Sequence, residues 1–439
     1  MVALRRAAQA TPALFAIFLL AAPALADDWP GWRGAKRDAV SNETGLLQEW
    51  GPTGPPLEWK ASGVGAGYSS VAVVGDRIYT AGDKDGSQHV FALDRDGGRV
   101  LWQAKLGPIF DDKRGGGPRS TPVVDDGRVF VLGTEGELVC LDAESGKELW
   151  RKSLPNDFGG KMMSGWRWSE SPLVDGDWLV FTPGAPDAAL VAVDKATGRE
   201  IWRAAVPELG PNGKDGAAYS SIVVSQAAGV KQYVQLLGRG LVGIRASDGK
   251  YLWGYNRVAN RVANISTPIV TGDVAFAATG YQTGSALLDL EASGDGVAAR
   301  ERYFLEPKTL QNHHGGLVLV DGHLYAGQGH NKGFPICVEL ESGKVAWGGD
   351  IRNAGTGSAA VLYADGRLYF RYENGIIILI AATPSGYQEK GTLEIPDVTR
   401  PSWPHLAISD GRLYVREQDD LYCYDLRDSS GKSANIRTR

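Results

Sequence analysis

Four of the six histidines in this 439-residue chain, His313, His314, His330 and His405, fall in loops that the chain's own repeat brings to one side. Imidazole is a general base near neutral pH and a frequent ligand of divalent metals, so such a cluster points to acid–base or metal chemistry. His313 or His314 is the candidate base or ligand, and His314, with His330 and His405, the candidate metal set. The same loops carry Arg119, Lys161 and Lys332 as cations for an anionic group, with Glu170, Asn331 and Arg371 as further polar candidates. Trp166, Trp168 and Trp403 supply an aromatic overhang, completing a candidate ligand site. In an extended strand the adjacent His313 and His314 would point to opposite sides. A second reading stays open, in which these imidazoles simply bond backbone at a crowded loop face.

The elements that place these loops come from an internal repeat. DRDGGRVLW (Asp94 to Trp102), DAESGKELW (Asp142 to Trp150), DKATGREIW (Asp194 to Trp202), RASDGKYLW (Arg245 to Trp253) and ELESGKVAW (Glu339 to Trp347) share a Gly four residues before a Trp. The tryptophans are spaced by 48, 52, 51 and 94 residues, the last being two periods of 47. Upstream of each copy a small polar residue opens an apolar run, as in Ser120-Thr121-Pro122-Val123, and there are eight such openings. Alternating runs joined by Gly-containing turns are hairpins. Four short strands per ~47 residues, repeated around a ring, make an all-β, eight-bladed β-propeller.

In the Asp-x-x-Ser/Thr-Gly turn the carboxylate bonds backbone ahead of it and Gly accepts a positive φ. Trp102, Trp150, Trp202, Trp253 and Trp347 then lie on outermost strands and dock against the neighbouring blade. Leu57-Glu58-Trp59-Lys60-Ala61 has the same character but no blade before it, while the last repeat has material for only three strands. Residues 57–61, with Trp59 as a sixth docking ring, are therefore expected to close the circle and remove an exposed sheet edge. Blade five has Ala298 where the Trp belongs, and blade seven has Gly386 followed by Lys390.

Composition fits a soluble β protein with a large core: 58 Gly, 13 Trp, 43% hydrophobic and 22% charged residues. A net charge of −5 with no basic block excludes nucleic acid as an expected partner. Three Cys exclude a disulfide scaffold and a four-thiolate zinc site. Cys140, Cys337 and Cys423 occupy the place that Ala92, Ala192 and Gly243 fill in other blades, a small buried position. Residues 1–26 read as a signal peptide, with Arg5-Arg6, an apolar run from Ala13 to Ala22 and a small-residue site at Ala24-Leu25-Ala26. The expected product is periplasmic or secreted, with no transmembrane segment in the mature chain. It has a lead-in over 27–54, one propeller over 55–427 and a disordered tail over 428–439.

The D-x-x-[ST]-G-K-x-x-W unit resembles the PQQ-like (pyrroloquinoline quinone) repeat of the tryptophan-docking propellers, over about residues 55 to 427. That superfamily includes quinoprotein alcohol dehydrogenases and the outer-membrane assembly factor lipoprotein. Three further strings, Trp29-Pro-Gly-Trp-Arg-Gly34, Asn312-His-His-Gly-Gly316 and Gly329-His-Asn-Lys-Gly-Phe-Pro335, resemble secreted PQQ-like propellers of environmental bacteria. The resemblance implies PQQ in the dehydrogenases, held under a vicinal Cys pair with acidic and Asn calcium ligands. No adjacent cysteines and no CxxCH occur here, so no PQQ-binding residue carries over and no cofactor is expected; PQQ or a divalent metal is the alternative. The expected function is a binding or scaffold module that meets a protein or glycan at the loop-rich face. The alternative is an oxidoreductase or carbohydrate-active enzyme using the histidines.

Overall fold

The computed structural model describes residues 28–113 and 115–428. The signal-peptide reading of residues 1–26, and the tail reading beyond Asp428, lie outside the described residues. Asp428 itself is tied back, its amide donating to the Gly45 carbonyl at 2.9 Å. Among the described residues there are eight antiparallel sheets of four strands, one of them extended by a short fifth strand. One five-residue helix (Leu154–Phe158) and one 3-10 turn are the helical content. Innermost strands touch their neighbours in turn, so the sheets stand as blades around an axis: an eight-bladed propeller.

Leu57–Ser62 pairs antiparallel with Asp420–Asp425 and places Trp59 opposite Cys423, so the start of the propeller completes the last blade. Ser62 Oγ donates to Asp420 at 2.6 Å and Lys60 pairs with the same carboxylate at 2.9 Å.

Four of the tryptophan rings dock with a common geometry, each lying on the left-handed turn glycine of the next blade: Trp59 on Gly98, Trp102 on Gly146, Trp150 on Gly198 and Trp202 on Gly249. These glycines have φ between 69° and 73°, and a Cβ would strike the indole at 2.6 to 3.0 Å, so both conformation and space require glycine. The indole N–H of Trp102, Trp150, Trp202 and Trp347 donates to a carbonyl of the following blade (Ala143, Lys195, Ala246 and Thr383) at 2.7 to 3.1 Å. Trp253 departs from this arrangement: its indole N–H donates to Gln232 of its own blade at 2.6 Å while the ring packs in the core between blades four and five. The three cysteines stand opposite Trp150, Trp347 and Trp59 within their sheets, buried and unpaired, with burial pushing their thiols up to about 11 or 12.

The two irregular blades are solved differently from the expectation. In blade five the hairpin Gly284–Ser293 to Gly296–Leu305 is lengthened, so Tyr303 and not Ala298 pairs at the docking position, opposite Leu287. Its hydroxyl donates to Leu340 of the next blade at 2.6 Å, as an indole would. In blade seven the docking position is Gly391, opposite Leu379, and not Lys390. Trp50 from the lead-in fills the space: a Cβ on Gly391 would lie 2.5 Å from Trp50 Cβ, and the indole packs 5.7 Å from Tyr369.

The lead-in also fills the axis. Trp29 exchanges two 2.8 Å backbone bonds with Val73 on the innermost strand of blade one. Pro30 accepts from Val124 of blade two, and Ala39 accepts from Tyr363 of blade seven. Arg37 donates to the Ser171 and Pro172 carbonyls at the entry to blade three, and Arg33 to the Leu317 carbonyl of blade six. Residues 29–41 therefore contact the innermost strands of blades one, two, six and seven, and the entry to that of blade three, from inside the ring. The sharp path needs left-handed backbone at Arg33, Gly34, Arg37 and Ala39, with φ of 59° to 82°. It leaves by the face of the tight strand turns, where Glu43 accepts from the Asp410 and Gly411 amides.

Candidate functional site

On the other face, above the tip of this plug, lies a pit of about 320 Å³. Trp32 and Arg33 come from the plug, and the walls come from the connections entering blades one to six and eight, with Tyr281, Asn331 and Glu373 added by the loops between the second and third strands of blades five, six and seven. Trp32 is fixed by a 3.0 Å bond from its indole N–H to Thr267 Oγ1 and packs 4.4 Å from the His405 ring. Tyr68 and Trp403 pack at a tilt, 4.7 Å between ring centroids, on one side. On another, Trp166 meets Tyr219 edge-on at 5.9 Å. Arg119 crosses between Tyr68 and Phe110 and donates to the Trp166 carbonyl, joining the two walls.

The histidines converge here, with ring centroids 4.5 Å apart for His313 and His314, and 4.2 Å for His313 and His330. His313 and His314 do not diverge, because they sit in a bend and not an extended strand. Gly315 and Gly316 create it: a Cβ on Gly315 would fall 1.6 Å from the Ala359 carbonyl, and one on Gly316 would meet Arg33 Nη1 at 2.2 Å. The Trp29–Gly34, Asn312–Gly316 and Gly329–Pro335 strings, 300 residues apart at the extremes of sequence, thus build one site.

Ser358 Oγ donates to Asn331 Oδ1, so it accepts Nδ1–H from His313 at 2.8 Å. The Nε2 lone pair of His313 then faces the Tyr281 hydroxyl at 3.1 Å. Ser358 is buried, its hydroxyl lying between Asn331 and His313. His314 Nε2 donates to Glu373 Oε1 at 3.0 Å. Burial alone would raise the Glu373 carboxyl, but the bonds from His314 and the Ser358 amide outweigh it and hold it below its usual range.

His405 lies under Trp32 with Nε2 bonded to the His314 carbonyl at 3.2 Å, so its donor is turned to backbone and away from a metal set with His314. His330 packs at a tilt against Tyr281, 4.3 Å between ring centroids, and meets His313 edge-on. The groups whose donor atoms do converge, within 4.8 Å of one another, are His313, His314 and Glu373. The expected trio of His314, His330 and His405 is corrected on this point.

Several expected ligand residues lie elsewhere. Glu170 is buried and accepts from the Thr182 amide, the Thr182 hydroxyl and Gln235 between blades. Arg371 has no exposed side-chain surface; it is paired with Glu417 and also bonds Ser402 and Pro404, so it positions the loop bearing Trp403 and His405. Trp168 packs in the core between blades two and three. Lys161 and Lys332 are exposed and outside the pit. Trp166, Asn331, Arg119 and Trp403 do line it. Sequence reasoning missed Trp32, Arg33, Tyr68, Tyr219 and Tyr281. A signal existed for two, since Tyr68-Ser69-Ser70 and Tyr219-Ser220-Ser221 repeat at equivalent strand openings.

Burial, helped by His314 and His330, drives His313 down to about 2, and burial with Arg33 alongside drives His405 to about 3. Both rings stay neutral in the fold and take up a proton on unfolding below about pH 6.5. Folded values lie below unfolded ones, so this stabilisation is complete above about pH 6.5 and is lost as pH falls toward 3. Glu170, raised by burial to about 8, acts in the opposite sense, its contribution being lost as pH rises from 4.5 through 8. Replacing His405 by Gln isolates one ring: between about pH 6 and pH 4 the variant should lose about 1.4 kcal/mol less per pH unit in urea titrations. An unchanged slope would show that His405 is not held neutral.

A PQQ site of the dehydrogenase type does not fit these residues. The three cysteines lie behind docking aromatics in blades two, six and eight, the axis is filled by residues 29–41, and Glu373 is bound to His314.

Sequence and fold comparisons agree with the geometry. The family model for the outer membrane protein assembly factor BamB matches residues 86–349. BamB of Nitrosomonas eutropha is 26% identical over 273 residues, covering 58% of this chain and 55% of that protein. A polyvinylalcohol dehydrogenase of Sphingopyxis is 26% identical over 206 residues, covering 42% of this chain and 29% of that protein. The chain thus spans about half or less of these curated relatives. Among solved structures, BamB of Moraxella catarrhalis superposes with a TM-score of 0.57 at 14% identity, over 81% of this chain and 95% of that one. The quinohemoprotein alcohol dehydrogenase ADHIIG of Pseudomonas putida superposes at 0.63 and 14% identity, over 92% and 81%. These two show the shared propeller fold. With well over half of the chain matched by its model, the protein belongs to the family of the outer membrane protein assembly factor BamB.

Proposed function

We propose that this protein is a binding propeller of the cell envelope, periplasmic or secreted, that holds a protein partner at its loop-rich face. The observation that carries this reading is the pit itself: Trp32, Trp166, Trp403, Tyr68, Tyr219 and Tyr281 converge with Arg119 and Arg33 above a plugged axis. Tryptophan, tyrosine and arginine concentrate where protein interfaces gain most of their energy, in pockets that exclude water. An apolar or aromatic side chain of a partner segment suits the volume. The family membership supports a protein partner over a glycan, and the N-terminal signal pattern supports the compartment.

The test is site-specific photo-crosslinking in cells. A benzoylphenylalanine at position 166 should yield a discrete adduct with one envelope protein, identified by mass spectrometry and abolished by Trp403→Ala. The same probe at Leu149, exposed on the outer strand of blade two, should not. Equal adducts from both positions, or an adduct at 166 that is carbohydrate, would overturn the reading.

A further inference from the structure

We infer that His313, His314 and Glu373 form a binding site for a divalent transition metal, of the zinc type, in the wall of the pit. The donor atoms lie within 4.8 Å of one another, and donors sharing one zinc ion stand roughly 3.4 Å apart. Closing the set needs a contraction of at most about 1.4 Å, which side-chain rotation supplies.

The surroundings of each ligand favour the metal-ready form. Ser358, anchored on Asn331, holds the Nδ1 proton of His313, and the Nε2 lone pair, which meets the Tyr281 hydroxyl at 3.1 Å, is the donor a metal would take in place of that hydroxyl. A ligating histidine is normally fixed in this way, by a hydrogen bond to its other nitrogen. Glu373 provides the negative charge and already reaches His314 Nε2 at 3.0 Å; a metal would replace that proton and keep both groups in place. The bend over His313–Gly315, close against Ala359, brings two consecutive imidazoles to the same side, which an extended strand forbids. The cysteine-free N/O donor set suits zinc, cobalt or nickel over calcium, which takes oxygen.

Three protein ligands leave at least one coordination position, and the pit is the open side. The site is independent of whether a protein partner docks above it, since the metal can be titrated into the isolated chain.

Zinc titration calorimetry on the full-length chain, stripped with a chelator, tests the inference. One zinc per chain is expected. His314→Gln and Glu373→Gln should each weaken binding at least tenfold, while His323→Gln, in a turn on the opposite face, should leave it unchanged. Cobalt in place of zinc should give a visible absorption band that is lost in the His314→Gln variant, and circular dichroism verifies that each variant is folded. Absence of zinc heat, or an affinity the same in both ligand variants as in the native chain, overturns the assignment.

Discussion

A chain from which residues 55–61 are deleted is expected to lose cooperative unfolding and to aggregate at micromolar concentration. Leu57–Ser62 is the outer strand of the last blade, so its loss exposes the edge of Asp420–Asp425 and removes Trp59 from the turn at Gly98. An unpaired edge is a template for pairing with other chains. Trp59 is half-buried, so losing its ring costs less than the roughly 3–5 kcal/mol of a fully buried tryptophan. Loss of the strand adds its sheet hydrogen bonds and the ion pair of Lys60 with Asp420. Size-exclusion chromatography and urea denaturation read the outcome. A monomer that melts like the native chain would refute closure by this strand.

The second large effect is expected at Arg371 and Glu417. Their side chains are 0% and 2% exposed and 2.8 Å apart. Removing one partner of a buried pair leaves an uncompensated charge and costs about 3–5 kcal/mol, whereas replacing both by apolar groups of similar volume is close to neutral. Glu417→Leu should therefore shift the urea midpoint far down, and Arg371→Met with Glu417→Leu should recover most of it. Because Arg371 also donates to Ser402 and to the Pro404 and Arg416 carbonyls, the single variants should loosen the Trp403–His405 loop as well. The exposed Arg203–Glu200 pair is the comparison, since surface pairs contribute ~0–1 kcal/mol. A Glu417→Leu loss no larger than that for Glu200→Ala would contradict the burial argument.

How far the sequence could be read follows from what repeats. The docking turn has a fixed Gly-to-Trp spacing, so six tryptophans, the blade number and the closing strand were legible without coordinates. The repeat breaks down where a blade borrows from elsewhere: Tyr303 lies nine residues after Gly294 where the motif has four, and Trp50 reaches blade seven from the far end of the chain. The lead-in has no periodicity at all, so nothing in its pattern announced that residues 29–41 would cross the axis and supply Trp32 and Arg33. The side on which the histidines gather followed from strand order, but their partners did not. The choice of Glu373 over His405 depends on a bend at Gly315 that hairpin logic does not contain. Glu170 and Arg371 were misplaced for a related reason: loop position tells which end of a blade a residue occupies, not whether its side chain turns inward between blades.

The central claim is that one amino-terminal segment fills the axis, supplies the tip on which the pit is built and then closes the ring. Amide hydrogen exchange on the native chain measures this directly. Peptides covering 29–41, and the amides of 57–62 that pair with Asp420–Asp425, should exchange far more slowly than the exposed turn Asp126-Gly127. Exchange of 29–41 at the rate of the exposed turn Asp126-Gly127 would contradict it, because a segment free of the innermost strands could not hold Trp32 and Arg33 beneath the histidines.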